Sequence, residues 1–285
     1  VAGAPVAAAS PGGGRFAAFS FVDAITELVP ETRVRGCYWI PESVGSFPQS
    51  LAAEAVGQLA AWSAMASLDF RVRPVAGLAQ EIVFHEPCGP GDTLELEALT
   101  ESCTEDAIAY SGTARSNGRL VLELKHSVGP MMPMDEFDDR AFVAADFALL
   151  AGSGRVPGAC RGLEAPLGEL VRREPGQSIE ARLAVPNDAL FFKDHFPRRP
   201  VYPATLLLHA LTHWAIELAG GRDASRVAAV ANVKMRSWIL PGQVVDLRVD
   251  RASGDSDATK VKLAARVDGR TVATAAATLV SARRS

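Results

Sequence analysis

The stretch Phe191-Phe-Lys-Asp-His-Phe-Pro-Arg-Arg-Pro-Val-Tyr-Pro-Ala-Thr-Leu-Leu-Leu-His-Ala-Leu-Thr-His-Trp214 decides how this chain is read. Its first half holds His195 in a loop whose backbone three prolines restrict, and its second half runs straight into a long, almost wholly apolar helix. A rigid loop that presents an ionisable ring beside an apolar helix has the layout of a site. The N-terminal half contains an altered copy, Trp39-Ile-Pro-Glu-Ser-Val-Gly-Ser-Phe-Pro-Gln-Ser-Leu-Ala-Ala-Glu-Ala-Val-Gly-Gln58. This copy lacks the histidine and carries Glu54 inside its helix.

Working outward from the two copies, further landmarks recur at nearly constant distance. Phe47-Pro48 matches Tyr202-Pro203, an offset of 155. Pro90-Gly91-Asp92 matches Pro241-Gly242-Gln243, and Asn117-Gly118-Arg119 matches Asp268-Gly269-Arg270, both at an offset of 151. Asn-Gly and Asp-Gly are hairpin signals, because glycine, asparagine and aspartate accept the left-handed backbone of a tight turn. Each copy therefore has an extended lead-in (Thr32 to Trp39; Ser178 to Val185), a loop, and one long helix (about Gln49 to Leu68; about Ala204 to Ala219). Strands with period-two alternation follow: Thr93 to Leu99, Ala107 to Ser116 and Leu120 to Ser127, then Val244 to Val249, Lys260 to Val267 and Thr271 to Leu279. One helix against an antiparallel sheet is an α+β layer architecture, here present twice. The expected organisation is a flexible Pro/Gly-rich segment over 1–14, a first repeat over 15–135, a connection over 136–160 with one short helix around Asp138 to Leu150, and a second repeat over 161–285.

The bulk properties exclude more than they assign. A formal charge of −4 on 285 residues gives no electrostatic case for nucleic acid or an anionic membrane, and no apolar run is long enough to span a bilayer. Cys37, Cys88, Cys103 and Cys160 show no C-x-x-C spacing and read as reduced thiols of a cytoplasmic protein. The start has neither the charged nor the apolar region of a signal peptide. The missing initiating Met leaves two readings, excision from a larger polypeptide and trimming, of which trimming is the simpler.

The helices make their polar residues informative. Ala, Leu, Val, Met and Trp occupy every face of the first helix, the mark of burial all round, and Glu54 and Gln58 are its main polar exceptions, one turn apart. Burial raises a carboxyl pKa toward the protonated form that a general acid requires. The plainer reading pairs Glu54 with Arg71 or Arg73. His209, His213 and Glu217 lie four residues apart on the equivalent face of the second helix. That spacing is compatible with a metal, but polar side chains filling a degenerate pocket account for it better. Trp62 and Trp214 read as core.

His195-Phe-Pro-Arg-Arg-Pro-Val-Tyr-Pro-Ala-Thr-Leu206 resembles the H-F-P-G-x-P-V-x-P-G-x-L signature of the β-hydroxyacyl-[acyl carrier protein] dehydratases of FabZ/FabA type, which have the hot-dog fold. Phe47 to Gln58 resembles the family's helix segment F-P-G-x-L-x-x-E-A-x-x-Q, with Glu54 on the catalytic acid. Phe21-Val-Asp23 fits its early V-D motif, and both Pro-Gly turns fit its P-G-D-x-L element. The resemblance extends from about Phe19 onward, once per half, and implies a double hot-dog in which one chain stands for a subunit pair. In the family each site takes a histidine from one subunit and a carboxylate from the other. Here the first half has Trp39 or Ile40 where the histidine would fall, and the second has His209 where the acid would fall.

The resemblance implies one composite site, with His195 and Glu54 catalytic, and one dead pseudo-site. It implies dehydration of a 3-hydroxyacyl thioester to the trans-2-enoyl thioester in fatty-acid or polyketide biosynthesis, with no metal and no redox cofactor. The acyl group would travel on the phosphopantetheine of an acyl carrier protein or of CoA. Backbone N–H groups of Ala204 and Thr205 are the expected oxyanion donors, Gln58, Phe196 and Pro203 the expected pocket wall, and Arg198 and Arg199 the expected contacts to a carrier. Arg198 and Ala204 replace the two signature glycines, which narrows the approach of the backbone to a substrate. A homo-oligomer of fused pairs, on its own or within a larger synthase, fits the family. Two other readings stand beside it: a catalytically silent hot-dog module for acyl binding or assembly, and a hot-dog thioesterase in which Glu54 activates water and His195 is dispensable.

Overall fold

The computed structural model describes residues 16, 18–155, 163, 165–254 and 258–282. The segment 1–14 and Cys160 lie outside them. The first repeat runs β1 (Ala24–Val29), β2 (Arg33–Trp39), α1 (Ser50–Ser67), β3 (Val72–Pro74), β4 (Leu78–Phe84), β5 (Thr93–Cys103), β6 (Ala107–Ser116) and β7 (Arg119–Pro133). A single-turn helix at Met134–Glu136 and α2 (Arg140–Ala151) lead to the second repeat. That repeat contains β8 (Glu169–Glu174), β9 (Ser178–Ala184), a 3-10 turn at Leu190–Lys193, α3 (Ala204–Leu218), β10 (Ser225–Met235), β11 (Val244–Gly254), β12 (Ala258–Val267) and β13 (Arg270–Ser281).

The strands form one antiparallel sheet in the order β1-β2-β5-β6-β7-β4-β10-β13-β12-β11-β9-β8, with β3 on β7. α1 packs on β2, β5, β6 and β7, α3 packs on β9 to β13, and the two helices touch each other. This is a helix wrapped by a sheet, twice over: a double hot-dog. The hairpin signals do what their chemistry requires. Asn117-Gly118 and Asp268-Gly269 all have positive φ (52°, 74°, 49° and 74°) and join β6 to β7 and β12 to β13.

The seam between the repeats is β4 against β10. Its register pairs Ile82 with Val230 and Ala79 with Val233. Positions 79 and 230 differ by 151, as do 82 and 233, so the two pairs exchange under the same offset as the turns. The seam therefore lies on the pseudo-twofold axis of a fused dimer.

The helix termini fall within a residue of the sequence expectation, and the short helix falls two residues later at its start. β7 departs from it. It continues through Gly129-Pro-Met-Met-Pro133, past the end at Ser127 expected from sequence, because its far end is held between β6 (Ala107 with Pro130) and β3 (Val72 with Pro133). α1 is buried on all sides, with Ser67 at its end its one exposed residue. Gly112 on β6 lets α1 approach: a Cβ there would strike the Glu97 carbonyl oxygen and lie 2.6 Å from Val56 Cγ1.

Candidate active site

A cavity of about 230 Å³ runs along α1, and both repeats wall it. Glu54 and Gln58 enter from α1, His195 and Phe196 from the proline loop, and Ala204 and Thr205 from the start of α3. Apolar side chains of α1, β4 and β10, such as Met65, Ile82 and Val233, continue the wall inward. Of the residues expected at the site, Pro203 does not line the cavity. It is buried and takes the N-cap position of α3, where its fixed φ of −62° starts the helix without needing a donor.

His195 is positioned by its own loop. Its backbone N–H donates to the Phe191 carbonyl (2.9 Å), and its carbonyl accepts from Val201 N–H (3.2 Å). Its ring Nδ1 lies 3.0 Å from the Val201 carbonyl. A carbonyl accepts only, so Nδ1 carries the proton and Nε2 keeps the lone pair. The ring stacks on Phe196 (4.1 Å between centroids) and meets the edge of Phe19 (5.3 Å). Burial pushes the imidazole pKa down to about 4, with Arg73 nearby acting in the same direction, so the ring is neutral at pH 7.

Glu54 is treated oppositely by the same burial, which raises its carboxyl pKa. Its partners are not arginines. Gln58 Nε2 donates to Oε1 (3.0 Å) and Thr205 Oγ1 to Oε2 (2.8 Å). Arg71 pairs instead with Glu105 (2.5 Å), and Arg73 lies 4.0 Å from Asp138. Thr205, expected for its backbone alone, thus joins the two repeats through its hydroxyl. At the start of α3 the first backbone bond into the helix is Leu207 N–H to the Pro203 carbonyl, so the N–H groups of Ala204 and Thr205 precede the ladder at the cavity wall.

The segment entering β1 is stapled across both repeats. Gln58 Oε1 accepts from Phe21 N–H (2.8 Å) and Gln58 Nε2 donates to the Phe19 carbonyl (3.0 Å). Asp194, next to the histidine, accepts from the N–H groups of Ala18 (2.8 Å) and Phe19 (2.7 Å). Asp23 forms a buried ion pair with Arg155 (2.7 Å) and accepts from Trp39 N–H (2.7 Å). Arg155 also donates to the Ser20 carbonyl (2.7 Å). The V-D motif signalled Asp23; nothing in sequence signalled Asp194, Arg155, or Tyr110, which reaches the cavity near Glu54.

The guanidinium groups of Arg198 and Arg199 are already paired with the acidic segment before α2: Arg198 with Asp139 (3.3 Å), Arg199 with Glu136. On α3, burial lowers the His209 pKa to about 4, and His213 Nδ1 is buried without a hydrogen-bond partner among the described residues. Trp214 Nε1 donates to the Leu167 carbonyl (2.8 Å), and its ring, like that of Trp62, packs against the core. Among the described residues no three His, Cys, Asp or Glu side chains converge as a metal site.

A neutral imidazole with a lone pair and a buried carboxyl biased toward its acid form thus share one apolar cavity with the start of α3, an arrangement able to take up one proton and give another. A family model described as ApeI-like, ApeI dehydratase, matches residues 171–275. The 3-hydroxyacyl-[acyl-carrier-protein] dehydratase FabZ of Ruminiclostridium cellulolyticum is 30% identical over 110 residues, 37% of this chain and 78% of that protein. Coronafacic acid dehydratase of Pseudomonas savastanoi pv. glycinea is 34% identical over 105 residues, 35% of this chain and 64% of that protein. In structure, a 12:0-ACP thioesterase from Umbellularia californica superposes with a TM-score of 0.54 at 11% identity, covering 87% of this chain and 94% of that one. A MaoC-like dehydratase does so with a TM-score of 0.50 at 14% identity, covering 88% and 98%. Identities so low speak to the fold alone, whereas the FabZ match is 30% identical over 78% of that protein. With the hot-dog architecture, the signature loop and most of the length of a FabZ relative accounted for, the chain belongs to the family of FabZ-type hot-dog dehydratases.

Proposed function

We propose that this chain removes water from a 3-hydroxyacyl thioester at one composite site, with His195 as base and Glu54 as acid. The observation that carries the proposal is the pairing of a neutral Nδ1–H imidazole with a buried carboxyl, supplied by different repeats to one cavity. His195 Nε2 takes the α-proton, the electrons of that C–H bond become the C2–C3 double bond, and the β-hydroxyl leaves as water with the proton of Glu54. The imidazolium and carboxylate so formed return to their starting states by passing the proton from His195 back to Glu54 through solvent. Charge on the thioester oxygen is met by the N–H groups of Ala204 and Thr205 at the positive end of α3.

The acyl chain lies in the apolar cavity, and its thioester reaches the site on the phosphopantetheine of an acyl carrier protein or of CoA. The setting we propose is cytoplasmic; among the described residues Cys37, Cys88 and Cys103 are free thiols. A homo-oligomer of fused pairs is the assembly we propose.

Mass spectrometry of 3-hydroxyacyl thioesters, on carrier protein and on a short pantetheine mimic, tests the reading. The expected result is loss of one water with wild type and a drop of at least about a hundredfold in rate for His195→Ala and for Glu54→Gln. Unchanged thioester that is still bound would assign an acyl-binding module. Free acid released with undiminished rate by His195→Ala would assign a thioesterase.

A further inference from the structure

Resting on that assignment of His195, we propose that the segment Met134–Asp139 between the repeats is a positioning clamp on the histidine loop, and that Arg198 and Arg199 serve this clamp and not carrier docking. The backbone makes the first contact, with Arg198 N–H donating to the Phe137 carbonyl (3.0 Å). The Arg198 guanidinium then donates to the carbonyls of Asp138 (2.9 Å) and Asp135 (3.2 Å) and to the Asp139 carboxylate (3.3 Å). Arg199 pairs with Glu136, and its guanidinium lies over the rings of Phe137 (5.4 Å) and Trp238 (5.3 Å).

These contacts lead to the catalytic ring. Phe137 is fully buried in a small cluster with Val75, Phe196 and Val201. Phe196 is the ring on which His195 stacks, and it meets Phe137 edge to face at 5.1 Å. Val201 supplies the carbonyl that holds the proton on Nδ1. Phe137 therefore packs against Phe196 and shares one buried cluster with Val201, the two residues that fix the orientation and tautomer of the imidazole. From the other side Arg73 caps Phe196, its guanidinium 4.2 Å from the ring, and approaches Asp138 of the same segment.

The arginine at 198 is thereby explained. A glycine, as in the signature, has no side chain to reach the two carbonyls. The half-exposed ion pairs contribute little singly. The buried Phe137 and the main-chain bonds supply the hold, and a carrier would have to break those bonds to recruit Arg198.

The test is Arg198→Gly and Phe137→Ala in the full chain, with kcat and KM measured on carrier-bound and pantetheine-mimic substrates and hydrogen exchange followed over 191–203. The expected outcome is a kcat lower by about tenfold to a hundredfold on both substrates, KM changed by less than about twofold, and faster exchange in the loop. Unchanged kcat with KM raised on the carrier-bound substrate alone would overturn the clamp in favour of docking. If wild type turns over neither thioester, the dehydratase reading fails, yet exchange still decides the clamp: unaltered protection of 191–203 in Arg198→Gly refutes it. That variant carries the decision should Phe137→Ala not fold.

Discussion

Glu54 and His195 show what one environment does to two kinds of ionisable group. Removal from water disfavours charge on both, so the carboxyl pKa rises and the imidazole pKa falls to about 4, which leaves the ring neutral at pH 7. The sign of the pH dependence follows. The proposed dehydration needs neutral His195, present above about pH 4, and protonated Glu54, present below its raised pKa. A pH profile of kcat/KM is expected to have an acid limb near pH 4 and an alkaline limb set by Glu54. Thr205→Val removes a hydrogen bond that favours the ionised carboxylate, so its alkaline limb should move to higher pH. An alkaline limb that stays in place would assign it to another group. At this scale His195 and Glu54 were legible because a motif names them. Thr205 was legible for its N–H only, since a hydroxyl that bonds a residue 151 positions away leaves no mark in its own neighbourhood.

Among the elements, α1 is held by contacts that tolerate little change. Gly112→Ala places a methyl against the Glu97 carbonyl and Val56, so α1 or β6 must shift. The expected cost is about 1–3 kcal/mol, read as a lower midpoint in urea unfolding. The buried pair of Asp23 and Arg155 ties the lead-in of β1 to the chain after α2, with both side chains about 4% exposed. Arg155→Met strands an aspartate whose pKa burial already raises, and a loss of about 3–5 kcal/mol is expected in the same assay. A variant as stable as wild type would show that Asp23 finds another partner or a proton. The helices and hairpins were readable because their signals are local: an apolar run with proline at its start, and Asn-Gly or Asp-Gly between alternating strands. β4, β8 and β10 were not. β8 is exposed along nearly its whole length and has no alternation, and β10 is alanine-rich and shifts register between Ala231 and Lys234.

At the scale of the molecule, the two groups of the proposed site come from different repeats of one chain. Mixing His195→Ala with Glu54→Gln proteins, each inactive, is expected to yield no activity, because neither chain holds both groups. Activity regained on mixing would mean that repeats pair between chains. The constant offset made the duplication legible before any strand was placed. The seam was not, because β4 and β10 pair across about 150 residues and neither announces its partner.

The β4–β10 seam has a consequence for descent. In a symmetric pair encoded by one gene, every substitution lands twice, on both sides of the axis, so a helix position must serve both copies equally. Across this seam the two sides are separate codons. Position 54 holds a glutamate and its counterpart at 209 a histidine, a difference that a single shared codon could not encode.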